Sequence, residues 1–86
     1  MNSEERTKCL RIEMLKELEA CGNHASPQQA LINAMYAIVM PPPTKSEVLT
    51  AAQWLEGEDY ILKVNDSFGG APLYRITTNG RAAIHA

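Results

Sequence analysis

Thr44-Lys45-Ser46-Glu47-Val48-Leu49-Thr50-Ala51-Ala52-Gln53-Trp54-Leu55-Glu56-Gly57 is the stretch on which the fold turns. Thr44 and Glu47 stand at the spacing of a capping box, in which the threonine hydroxyl and the glutamate carboxylate each satisfy an amide that a helix start leaves open. A helix is therefore expected over residues 45–56, with Gly57 suited to its C-terminal turn. Val48, Ala51, Ala52 and Leu55 recur at helical spacing and form its inward face, while Ser46, Thr50 and Gln53 lie opposite and Trp54 sits on the flank.

Downstream, residues 60–64 are apolar and β-branched enough for a strand. Asn65 to Pro72 has the Gly/Asn/Asp/Pro composition of a turn, with Phe68 at its tip, and residues 73–77 return as a second strand. Thr77 or Thr78 can cap a last short helix reaching Ile84. Upstream, Pro41, Pro42 and Pro43 end a preceding helix, because proline lacks an amide donor and restricts the residue before it. That helix is expected to start at Ser26-Pro27-Gln28-Gln29, with serine as cap, proline in the first turn and Gln29 closing a second capping box, and to run to residue 40. A first helix is expected over residues 3–21, capped by Ser3 and stopped at Gly22-Asn23. Its stripe is Leu10, Met14, Leu18 and Cys21, widened by Leu15, with Ile12 off it.

The expected order is helix, helix, helix, strand, strand, short helix: an α+β fold in one domain over residues 1–86. Eighty-six residues leave no room for a second domain. The layout is that of a winged helix-turn-helix, three helices followed by a two-stranded wing.

Two segments carry a resemblance to that superfamily. Thr50-Ala51-Ala52-Gln53-Trp54-Leu55-Glu56-Gly57-Glu58-Asp59-Tyr60-Ile61 resembles the winged-helix pattern in which the recognition helix ends in Trp-Leu-Glu and leads into the first wing strand. Asp59 stands where that pattern has glycine. Leu73-Tyr74-Arg75-Ile76-Thr77-Thr78-Asn79-Gly80-Arg81 resembles the Tyr-x-Leu-Thr-x-x-Gly-Arg ending of the second wing strand. With Arg11-Ile12-Glu13-Met14-Leu15-Lys16-Glu17-Leu18 on the first helix, the layout is also similar to short winged-helix proteins of Mu-like bacteriophages and prophages. The resemblance implies a small regulator or DNA-packaging accessory.

The chemistry-bearing residues argue against an enzyme. His24 and His85 lie far apart and beside no nucleophile, and Gly69-Gly70 is followed by no Lys-Ser/Thr that would make a phosphate loop. No metal-ligand spacing is present and no cofactor is expected. Cys9 and Cys21, on one helix about 18 Å apart, are read as reduced thiols that cannot pair with each other. The polar start lacks the pattern of a signal peptide, and no apolar run is long enough to span a membrane, so a cytoplasmic protein is expected.

Two functional readings stand. In the first, double-stranded DNA is the partner. Lys45, Ser46, Thr50 and Gln53 would face the major groove, and Lys63 and Arg75 would reach flanking phosphates or the minor groove. Charge opposes strong binding: the chain carries 8 basic and 10 acidic residues, net −2, and residues 44–59 hold one lysine against four acids. In the second, the domain is a protein-interaction module, a homodimer or a partner of another phage protein. Residues 24–43 contain no charged side chain, and the second helix is apolar nearly all round. Ile12, Leu31, Met35, Tyr36, Ile38 and Val39 are its expected interface residues. The same apolar helix also fits a central core position, and Trp54 a packing anchor.

Overall fold

A computed structural model describes residues 3–86. Over these residues the chain is α+β, with four helices and a small antiparallel sheet. The elements are α1 (Ser3–Ala20), β1 (Ser26–Pro27), α2 (Gln28–Ile38), α3 (Lys45–Gly57), β2 (Ile61–Val64), β3 (Leu73–Ile76) and α4 (Thr78–Ile84). No helix among the described residues is long and apolar enough to cross a membrane.

The expected stripe of α1 is buried at Leu10, Met14, Leu15 and Leu18, while Cys21 lies just past the helix and half-buried. The core is completed by Leu31, Ile32, Met35 and Val39, by Val48, Ala51, Ala52 and Leu55 of α3, and by Ile61, Tyr74 and Ile76 of the sheet. The inward face expected of α3 is thus the one observed. Gly22 takes a positive φ of 65° and stops α1, its amide donating to the Glu19 carbonyl at 2.9 Å.

The start of α2 differs from expectation. Ser26 does not cap the helix, and no side chain does; Pro27 is the N-cap. Ser26 and Pro27 pair instead with Tyr74 and Leu73 of β3, giving the strand order β1-β3-β2. Proline is tolerated because β1 is an edge strand, where an absent amide donor removes no central ladder bond. Burial draws Ser26 into this pairing, and Gln29 turns to Asn33 one helical turn on, at 2.9 Å. The helix also ends two residues early: Val39 is already extended, ahead of the Pro41–Pro43 run.

The capping box of α3 is present as expected. The Glu47 amide donates to the Thr44 hydroxyl and the Thr44 amide to the Glu47 carboxylate, both at 3.1 Å. The C-terminal turn is displaced from where glycine suggested it. Gly57 is the last helical residue, and Asp59 takes the left-handed position at φ 62°. The Tyr60 amide donates to the Leu55 carbonyl at 2.9 Å and the Asp59 amide to the Glu56 carbonyl at 3.0 Å, the paired bonds of a Schellman motif. Asp59 tolerates this backbone better than most residues, and here its carboxylate also accepts from the Asn79 side chain at 3.0 Å.

The hairpin register sets Ile61 opposite Ile76, Leu62 opposite Arg75, Lys63 opposite Tyr74 and Val64 opposite Leu73. Ile61 and Ile76 are buried, and strand alternation puts Lys63 and Tyr74 on the same face. Thr77 caps α4 by accepting from the Gly80 amide at 3.0 Å. Arg81 then donates to the Gly22 carbonyl at 3.0 Å and to Asn23, tying α4 to the end of α1.

Candidate functional site

An open groove of about 620 Å³ lies between the outward face of α3 and the hairpin. The apolar stripe fixes the rotation of α3. With Val48, Ala51, Ala52 and Leu55 turned into the core, Lys45, Ser46, Thr50 and Gln53 must face out, and all four line the groove. Lys63 joins them from β2, directly across the ladder from Tyr74. Five of the six residues expected to meet DNA are therefore brought into one groove.

Arg75 is the exception. It alternates with Tyr74 along β3 and points to the opposite face of the hairpin, where it lies near Asn23, Leu62 and Arg81. Side-chain alternation in a strand separates Arg75 from Lys63, and this corrects their expected grouping in a single site.

Sequence reasoning missed five contributors to the groove: Gln28, Leu49, Glu56, Pro72 and Tyr74. Gln28 arrives because β1 pairs with β3: its amide donates to the Pro72 carbonyl at 3.1 Å, and its side chain lies 3.3 Å from the Tyr74 hydroxyl. The strand pattern of residues 73–76 was the available signal for Tyr74, since it shares the face of the core residue Ile76.

Folding also redistributes the acids that opposed an anion-binding face. Glu47 turns away to the α1 side, where it accepts from Arg6 Nε at 3.1 Å. The Thr44 backbone amide, followed by the Arg6 guanidinium, holds its carboxyl below the ordinary carboxylate value. Asp59 is engaged with Asn79. Among the described residues lining the groove, Glu56 is the acidic one, against Lys45 and Lys63. The groove's own balance is thus mildly basic, although the segment's is acidic.

The expected interface residues divide as well. Leu31 and Met35 are buried within this chain's own core and offer no free surface, and Val39 is buried with them but for an edge lining a notch beside α1, because α1 covers more of α2 than its uncharged sequence suggested. Tyr36 and Ile38 are exposed, at 61% and 46%, and Ile12 is half-buried on the outward side of α1. Met40, 74% exposed, lies beside Ile38 in a notch shared with Cys9 and Glu13 of α1. Trp54 forms a packed stack: the Arg11 guanidinium lies 3.8 Å from its ring centroid, and Tyr60 meets it edge-on at 6.1 Å. Phe68, at the hairpin tip, is 98% exposed.

Among the described residues no group of three or more His, Cys, Asp or Glu is placed to hold a metal ion. Cys9 and Cys21 are free thiols. His85 engages Glu19 at 2.7 Å at the surface. The chain matches no family model, no curated protein and no solved structure.

Proposed function

We propose that the chain is a non-enzymatic winged helix-turn-helix module that binds double-stranded DNA weakly, as a small regulator or packaging accessory. One observation carries this reading: Lys45, Ser46, Thr50, Gln53 and Lys63 converge on one groove beside the hairpin. In this reading α3 is the recognition helix and the β2–β3 hairpin is the wing. Polar side chains near the N-terminal end of α3 meet base edges, with glutamine suited to adenine and the hydroxyls to several bases. Lys45 and Lys63 flank them and supply the phosphate contacts.

Two lysines opposed by Glu56 give a small electrostatic contribution, so affinity is expected to be low and to fall only modestly with salt, because few phosphates are neutralised. The test is fluorescence anisotropy with labelled duplex DNA at about 50 mM salt. Lys45→Glu and Lys63→Glu should each weaken binding by about tenfold, whereas Arg75→Glu, on the other face of the hairpin, should change it by less than about threefold. Equal binding by wild type and both lysine variants would overturn the reading.

A further inference from the structure

The outward side of α1 carries a second surface. Glu5, Cys9, Ile12 and Lys16 follow one another at helical spacing, and at 3.6 residues per turn they fall within about 60° of one another around the helix. Glu5 and Lys16 are exposed, and Cys9 and Ile12 half-buried. Two shallow notches meet along this stripe. One, of about 290 Å³, is lined by Glu5, Lys8, Cys9, Ile12 and Glu13. The other, of about 230 Å³, is lined by Arg6, Cys9, Glu13, Ile38, Val39 and Met40. Cys9 belongs to both, so the stripe runs on to the exposed end of α2.

We propose that this stripe is a self-association surface whose partner is a second copy of the chain, packed antiparallel along α1. The order acid, apolar, apolar, base decides the orientation. A two-fold axis passing between Leu10 and Arg11 sets Glu5 level with Lys16 of the second copy, and Cys9 level with its Ile12. Each apolar residue then meets an apolar one at the centre, and each charge meets its opposite at the ends. A parallel pairing would set Glu5 against Glu5 and Lys16 against Lys16. The antiparallel pairing is isologous, as a two-fold dimer requires.

The flank of the stripe bearing Cys9 and Glu13 falls on the same side of the seam in both copies. Ile38 and Met40, exposed beside that flank, therefore add apolar area from each copy. Lys16 lies 3.7 Å from Glu13 on its own helix and remains free to turn to a second carboxylate, its side chain being 59% exposed. Neither notch shares a residue with the α3 groove, so the groove stays open in the dimer. One helix pair with a small apolar flank falls short of the roughly 1,600 Å² of a standard interface, which places the dissociation constant at about micromolar or weaker.

The experiment is sedimentation equilibrium of the full chain from about 1 µM to about 500 µM, a range bracketing that constant. Glu5→Lys and Lys16→Glu should each raise the dissociation constant about tenfold or more. The double variant E5K/K16E should return it to within about threefold of wild type, since both end pairs are restored with their signs exchanged. Circular dichroism confirms that each variant is folded, as both positions are exposed. In a Cys21→Ser background, a short bis-maleimide should join Cys9 to Cys9 of the second copy, and Ile12→Glu should abolish that product. A monomer at every concentration overturns the proposal. So does a dimer indifferent to the single charge reversals, or a double variant no tighter than the single ones.

Discussion

Gly80 packs so closely against the carbonyl of Tyr60 that a Cβ at position 80 would overlap the oxygen. The contact sits where the chain leaves α3 and enters β2, opposite the point where β3 enters α4. Thr77 reinforces the same junction: its amide donates to the Tyr60 carbonyl at 3.0 Å and its hydroxyl to the Asp59 carbonyl at 2.6 Å. The hairpin is thereby held to α3 at one end by backbone-level contacts, which fixes Lys63 relative to Lys45 across the groove.

Gly80→Ala should destabilise the protein even though position 80 is helical. Alanine normally gains up to about 1 kcal/mol over glycine inside a helix. Here the new methyl meets backbone that cannot yield, and overpacking of this kind costs about 1–3 kcal/mol. A melting temperature about 5–15 °C below wild type is expected by circular dichroism, and an unchanged or higher value would show that the junction is looser than described.

Asp59→Ala should cost about 1 kcal/mol, because alanine keeps the Cβ that strains the left-handed backbone while losing the polar side chain that offsets this strain and accepts from Asn79. Asp59→Gly removes that strain while losing the same bond, and should stay within about 0.5 kcal/mol of wild type. Urea unfolding of the two variants measures the difference, and the order of stabilities is the decisive readout.

Glu47 should make stability fall in acid. Its folded-state pKa lies below its unfolded one, held down by the Thr44 amide and by Arg6. The contribution is therefore fully present above the ordinary carboxylate range and is lost as pH falls through the lower folded-state value. Half-exposure of the pair keeps the effect small. Urea midpoints followed from neutrality into acid should decline less steeply in Glu47→Gln than in wild type, with the two curves converging at the acid end.

Glu56→Gln should strengthen DNA binding. It removes the acidic side chain that faces the groove with Lys45 and Lys63 and leaves the shape nearly unchanged. At about 50 mM salt the dissociation constant should fall about two- to fivefold, and the gain should shrink as salt screens the charge. A gain that persists unchanged in high salt would place the effect elsewhere.

The elements most legible in the sequence were those with local causes. The Thr44–Glu47 box, the α3 core face and the cap of α4 each depend on atoms within one or two turns; the first two are found where expected, and of the two threonines offered for the cap, Thr77 makes it. Less legible were features in which a distant segment competes for the same residues. Ser26-Pro27 reads locally as a helix start, yet Tyr74 and Leu73, nearly fifty residues on, claim it as a strand. Gly57 reads as the stop of α3, yet the turn is made at Asp59, where Asn79 and Thr77 hold the left-handed backbone from across the hairpin.

By itself, then, the sequence determined the helix-rich order of elements, the hairpin and the polar face of α3, because periodicity and capping act over a few residues. Tertiary structure alone decided which charges share a surface. Strand register sent Lys63 to the groove and Arg75 away from it, Arg6 drew Glu47 to the far side of α3, and burial in the core took Leu31 and Met35 from any interface. The physical reason is the same throughout: charge and apolar area act through space, and neighbours in space are set by how the elements pack.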